Sequence, residues 1–437
     1  MTRTEDRLTE YLNAVADSVR AHSIRALAPS APPESERTRG ALRLAAGQRR
    51  WRGWAVPLAA AATVVAVAVS SAVLAGQHGG HRAAPAAAGA TAPGLRYYME
   101  AEGATLTAVV RSVATGAVVD RVPAPGGMEA EAMAAAPDDR TFYIAYGPEG
   151  VSDHGSKYML YSVSVVGSGK VTAPMPVKGG VVTYANVAEE PPALAVSPDG
   201  GRLAMTLSTY IPSAGSSPQQ VANEILVINL HTGARQTWQR GLNRAGYTVT
   251  VPSVAWAGGG RSLDFLATWC VQGRPYGPAC YHYINAQQHP SSQVRSLPLN
   301  SVGGSLDNST ALLDTPYPMA AMSAAPAGGF YVLILSGWKP GTSLPVSLGV
   351  EQFTANGTFK RVVYNNAYLP DFINSSSLTA DPSGQHLLLG LGLDHCAGNE
   401  CGQATSTLGW LAGGTKIVRA TFHPLTSYGN TLALAAW

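Results

Sequence analysis

Ser336 and Lys339 stand three residues apart, the spacing that puts a nucleophilic hydroxyl and an amine on one helix face. The run before them, Phe330–Leu335, reads as an apolar strand, and Pro340 follows directly. The helix that this chemistry needs therefore does not form. Two Asp-His pairs, Asp153-His154 and Asp394-His395, are capable of acid–base or ligand chemistry, but no third residue at a readable spacing completes either. No Gly-x-Ser-x-Gly elbow occurs. The sequence assigns no catalytic residue, no metal ligand and no cofactor.

The four cysteines fall into two close pairs, Cys270 with Cys280 and Cys396 with Cys401. His395 adjoins Cys396, which admits a metal site, but structural zinc takes four ligands at tighter, paired spacings. Two local disulfides are the preferred reading, and they place this part of the chain in an oxidising compartment.

One uncharged stretch supports that placement. Trp54–Ala75 is apolar and about as long as a bilayer-crossing helix requires, with Arg52 and Arg82 at its flanks. Arg37, Arg39, Arg43, Arg49, Arg50 and Arg52 precede it, so the N-terminal side is expected to stay cytoplasmic. The competing reading is a cleaved signal peptide ending at Val73-Leu74-Ala75, but the preceding 53 residues far exceed an ordinary n-region. The expected order is a cytosolic arm (1–53), a transmembrane helix (54–76), a flexible Ala/Pro/Gly linker (77–94) and an extracytoplasmic domain (95–437). The arm carries ten Arg and six acids, hence +4 of the chain's +3. The remainder is then −1, too nearly neutral to attract nucleic acid. The basic arm suits an anionic inner leaflet.

Within the arm, Thr4 caps a helix whose first turn holds Glu5 and Asp6. Leu8, Leu12, Val15 and Val19, with Tyr11, recur at three- and four-residue intervals and form one apolar stripe. Such a helix docks a cytosolic regulator, lies on the membrane, or is a solvated tail. The layout resembles that of transmembrane anti-sigma regulators. The zinc-containing family of that type needs two cysteines shortly after a histidine, and His22 has none nearby.

The remaining chain repeats. Its clearest unit is an apolar strand, the turn Ser197-Pro198-Asp199-Gly200, and a second apolar strand. Pro presets φ in such a turn, and Asp and Gly supply its tight geometry. Weaker copies centre on Pro137, Ala257, Pro326 and Pro382, at spacings of 61, 59, 69 and 56 residues. A second turn recurs further along, as in His231-Thr232-Gly233 and Asn356-Gly357. This periodicity predicts an all-β fold, a six-bladed β-propeller, or seven-bladed if one long loop hides a degenerate blade. Closure would come from Thr431–Trp437, which supplies the first strand missing before Tyr97. The Ser-Pro-Asp-Gly copy resembles the TolB-like branch of WD-repeat-type propellers. Leu230–Trp238 resembles one docking repeat of quinoprotein propellers, which use many where this chain has one.

Strands in a blade alternate direction, so both tight turns fall on one face and the longer loops on the other. The predicted long loops are 147–156, 209–223, 269–281, 337–345 and 394–406, with both cysteine pairs among them. Trp269, Arg274, Tyr276, Tyr184, Asn308, Tyr317, Asn366, Tyr368 and His395 are the candidate contacts for a sugar, peptide or protein, since Tyr and Asn combine apolar bodies with polar tips. Turn-making and packing explain the same residue types equally well. Three functions follow: an extracytoplasmic binding module that signals through its arm, a passively anchored envelope scaffold, and a propeller enzyme with a His/Asp site.

Overall fold

The computed structural model describes residues 95–437 except 103–105, 149–155, 168, 185–187, 212–219, 240, 243–246, 272–290, 300–301, 316–318, 327, 339–344, 367–371, 382–385, 398–399, 413–415, 425–434 and 437. The expected arm helix and transmembrane helix lie outside these residues. No helix among the described residues is long and apolar enough to cross a membrane.

The described strands form six sheets. Four are built from consecutive chain, and sheet 3 is too except for Gly304–Ser305 at its outer edge. Sheet 2 comprises Met128–Ala135, Thr141–Pro148 and Ser156–Val166, with Lys170–Val171 and Met175–Tyr184 both pairing the last. Sheet 3 comprises Leu194–Val196, Arg202–Ile211, Gln220–Asn229 and Arg235–Gln239, with Ala188–Glu190 also pairing the second of these. Sheet 4 comprises Tyr247–Ala257, Ser262–Val271, Ser291–Pro298 and Thr310–Thr315. Sheet 5 comprises Met319–Ala324, Phe330–Trp338, Pro345–Phe353 and Phe359–Asn366. Sheet 6 comprises Phe372–Ala380, His386–Ala397, Glu400–Ala412 and Lys416–Pro424. Sheet 1 is composite: Tyr97–Glu102, Thr107–Ser112 and Val118–Val122 receive their inner strand from Ala435–Ala436, in the register Met99↔Ala436 and Glu100↔Ala435.

The inner strands neighbour one another in chain order, and the strand of sheet 6 returns to Ala435–Ala436. The result is a β-propeller. Alternation sends one set of side chains from each sheet toward the preceding sheet and the other set toward the next. Apolar clusters fill these seams: Met99, Val110 and Phe142 between sheets 1 and 2, Tyr158 and Leu203 between 2 and 3, Trp238 and Phe265 between 3 and 4. Leu266 and Phe330 lie between 4 and 5, and Leu333 and Leu389 between 5 and 6. The other face of sheet 1 buries an Arg111–Glu100 ion pair.

The inner tight turns at Pro137, Pro198 and Ala257 fold as the repeat predicts, and the copy at Pro382 lies outside the described residues. Gly200 adopts φ +70°, and its N–H donates to the Ser197 carbonyl at 2.8 Å. Asp199 accepts from the Ser197 hydroxyl and from Gly201 N–H, and these two bonds hold its carboxyl below the usual carboxylate range. Arg202 then crosses to sheet 4, donating to the Gly260 carbonyl at 2.6 Å and lying 4.7 Å over the Trp256 ring. In sheet 2, Asp139 of the equivalent turn accepts from Arg96 N–H at 2.7 Å, tying sheet 2 to the start of sheet 1.

Two expectations are corrected here. Residues 394–406 are not a long loop: strands run to Ala397 and resume at Glu400, so the hairpin continues. The connection between the third and fourth strands of sheet 4 is not a tight turn. It leaves its sheet, lays Gly304–Ser305 parallel to the outer strand of sheet 3, makes a short 3-10 helix Leu306–Asn308, and returns. Leu306 is fully buried in the seam between sheets 3 and 4, and Asp307 accepts from Leu242 N–H at 2.8 Å.

Candidate functional site

The long-loop side of sheet 2 brings together the groups most available for chemistry. Glu131 lies in the inner strand Met128–Ala135, whose neighbours are Ala130 and Ala132. The pairing to Thr141–Pro148 slips between those two alanines, so Glu131 is the extra residue of a bulge. A bulge re-aims a side chain that strict alternation would direct elsewhere. Inner strands of sheets 4, 5 and 6 slip at comparable places, between Thr250 and Ser253, Met319 and Ala321, and Ile373 and Ser375. Glu131 is the acidic member of this set.

Gly147 makes room for it. A Cβ at that glycine would lie 2.8 Å from Glu131 Cγ and 3.0 Å from Tyr158 Cε1, so the carboxylate stem and the tyrosine ring occupy the space a side chain would take. Tyr158 lies near the start of the third strand and is 2% exposed. Its ring stacks on Tyr184, at the end of the outer strand, with centroids 4.8 Å apart and planes 28° apart. Burial, then the charges of Tyr184 and Glu131, push the Tyr158 hydroxyl far up, so it stays a neutral donor.

Burial, reinforced by the charge of Glu129, raises the Glu131 carboxyl to about 7. Among the described residues its carboxyl has no hydrogen-bond or ion-pair partner. At neutral pH it is therefore part acid and part carboxylate, able to donate to a ligand oxygen or to accept from a hydroxyl or N–H. Carbon-13 NMR of the glutamate side-chain carboxyls is expected to show one titration with a midpoint near 7, absent in Glu131→Gln. Titration of Glu131 in the ordinary carboxylate range would remove it as a candidate.

The residues read from the sequence are distributed as follows. Tyr184 belongs to this site. Trp269 does not present itself to a partner: it is 2% exposed, packs with Phe265 and Ala267, and its indole N–H donates to the Leu242 carbonyl at 2.8 Å. Asn308 sits in the short 3-10 helix that strengthens the junction of sheets 3 and 4, not in an inter-sheet loop. The backbones of Asn366 and His395 lie in strands, opposite Leu348 and Gln403. Arg274, Tyr276, Tyr317, Tyr368 and the arm residues Leu8, Leu12, Val15 and Val19 lie outside the described residues. Cys270 is paired with Thr248 along the backbone, whereas Cys280 lies outside the described residues. Cys396 and Cys401 are direct cross-strand partners. Among the described residues no cluster of His, Cys, Asp or Glu could hold a metal ion.

No protein-family model and no curated protein sequence matches the chain. Among solved structures, a protein of unknown function from Bacteroides caccae is similar at 13% identity and a TM-score of 0.39, covering 78% of this chain and 98% of that one. A prolyl endopeptidase is similar at 15% identity and a TM-score of 0.37, over 76% of this chain and 49% of that one. Porphyromonas gingivalis dipeptidyl peptidase 4 is similar at 12% identity and a TM-score of 0.34, over 80% and 48%. This chain spans about half the length of the two peptidases. The sheet arrangement itself defines the class, a β-propeller.

Proposed function

We propose that this protein is a binding module: a six-bladed propeller, one blade per sheet and of the TolB-like type, held outside the cell by the apolar stretch 54–76. Its ligand sits at the long-loop rim of sheet 2. The observation carrying this reading is the uncommitted Glu131 carboxyl beside the stacked Tyr158 and Tyr184 rings. An aromatic face with an adjacent group that both donates and accepts suits a neutral polar ligand of the sugar or peptide kind. Immobilised oligosaccharide and peptide panels probe this directly. Binding to the wild-type protein that falls at least tenfold in Tyr184→Ala and Glu131→Gln supports the site, and a panel with no such binder sinks it.

The cysteine reading belongs to the same proposal. Directly opposed strand residues have Cα atoms about 4.5–5.5 Å apart, inside the range a disulfide spans. Cys396 and Cys401 are therefore expected to form a cross-strand cystine at the tip of their hairpin. Non-reducing peptide mapping should recover the Cys396 and Cys401 peptides linked, and free thiols at both positions in exported protein would contradict the compartment. On the inner side, residues 1–53 are proposed to dock a cytosolic regulator through Leu8, Leu12, Val15 and Val19. A pull-down with that segment should lose its partner in Leu12→Asp, Val15→Asp, and an empty pull-down leaves the arm as an anchor alone.

A further inference from the structure

The two faces of the propeller differ in how their charges are used. On the tight-turn face the acids are tied into the turns. Asp138 accepts from Arg140 N–H, Thr141 N–H and the Thr141 hydroxyl at 2.7–2.9 Å. Asp139 accepts from Arg96 N–H, Asp199 from its own turn, and Asp381 pairs with His386 at 2.9 Å. Of the bases on the same face, Arg140 and Arg96 lie in the fields of Asp138 and Asp139, whereas the three lysines face no such acid. Arg96, Arg140, Lys170, Lys178 and Lys360 are exposed, and no ion pair involves any of them. Each lies in or beside a tight turn or, for Lys178, has its stem against Gly233 of the neighbouring sheet's turn. At the long-loop side the described charges lean the other way, with Glu129, Glu131, Glu224 and Asp314 against Arg121 and Lys157.

The chain enters the propeller on the basic face. Arg96 N–H bonds to the turn of sheet 2, and its carbonyl accepts from Val113 N–H at 2.9 Å, at the outer turn of sheet 1. The linker 77–94 joins here. A coil of eighteen residues reaches roughly 25 Å, which is the span that composition would allow. A face held that close to a surface meets it at millimolar effective concentration, so individually weak charge contacts suffice.

We propose that the tight-turn face docks on the anionic phospholipid headgroups of the membrane that anchors the chain, leaving the Glu131 rim pointing away from it. This rests on the anchored, extracytoplasmic reading above. Full-length protein in lipid nanodiscs, labelled with an amine-reactive ester and mapped by mass spectrometry, separates the two. In phosphatidylglycerol discs, labelling of Lys170, Lys178 and Lys360 is expected to slow about threefold or more relative to phosphatidylcholine discs, with exposed Lys157 on the far side unchanged. Added salt near ~0.5 M should abolish the difference, because exposed charges are screened beyond a few ångströms there. Equal rates in both discs overturn the proposal. If the chain does not insert at all, the anchor reading falls, and the face is judged by co-sedimentation with phosphatidylglycerol vesicles. Salt-sensitive binding lost in Lys170→Glu, Lys178→Glu, Lys360→Glu sustains it, and no binding overturns it.

Discussion

Asp264→Asn is expected to stabilise the propeller at pH 7.5 by about 3 kcal/mol while changing little at pH 4. Asp264 is 4% exposed in the second strand of sheet 4, on the face that packs Leu266 against Met319, Met322 and Phe330. One carboxyl oxygen bonds Ser296, and Oδ1 has no partner. Burial raises this carboxyl to about 6, against 3.8 ordinarily. The folded state therefore holds the proton more tightly than the unfolded chain. The resulting stability is fully present below pH 4, is lost as pH rises to 6, and does not return above that. About two pH units at 1.36 kcal/mol each give the ~3 kcal/mol, or roughly 4 °C in Tm for a domain of this size. Asparagine keeps the shape and cannot ionise. Urea denaturation from pH 4 to 8 should show a slope in the wild type that the variant lacks, and parallel curves would sink the argument. Glu131 adds a similar slope, displaced upward toward pH 7.

Gly357→Ala is expected to cost about 4 kcal/mol or more, enough to prevent recovery of folded protein. The outer turn of sheet 5, closed by Gly357 N–H to the Thr354 carbonyl at 3.0 Å, pushes into the outer strand of sheet 4. A Cβ on Gly357 would run into the backbone carbonyl of Leu312, which cannot swing aside as a side chain would. Its φ of +80° adds a further 1–2 kcal/mol or so for any L-residue. Sheets 2 and 3 repeat the contact, with the backbone of Gly233 against Gly179. Gly126→Ala is the control: nothing lies within 4 Å of the added methyl, and stability should stay within about 0.5 kcal/mol. Thermal melts of the two variants decide the matter, and a Gly357→Ala protein melting like wild type would show that the sheets slide apart freely.

The repeat was legible because each unit writes its inner turn in residues with few alternatives. Ser197-Pro198-Asp199-Gly200 fixes two strand ends at once, and its degenerate relatives keep the spacing. The missing first strand of sheet 1 was legible for the same reason, since Ala435–Ala436 falls where the register demands it. The buried position of Trp269 is itself written in the sequence. Leu263, Phe265, Ala267 and Trp269 alternate inward, so the tryptophan continues the core face and does not begin a loop. Glu131 carries no such signal. A bulge breaks the alternation by which a strand's faces are read, and only the pairing with Tyr146 and Ala145 reveals it. The excursion through Gly304–Ser305 was equally hidden, because two residues pairing across sheets leave no period in the sequence.

The composite sheet has a consequence for biosynthesis. Residues 97–122 are made before the other five sheets and their innermost strand, Ala435–Ala436, after them, so every intervening stage is an arc with an uncovered edge. Such edges invite mispairing. This order delays ring formation until Ala435–Ala436 is free to pair. Proteolysis confined to those residues would then act as a release, opening the propeller at one defined joint while its other blades remain packed.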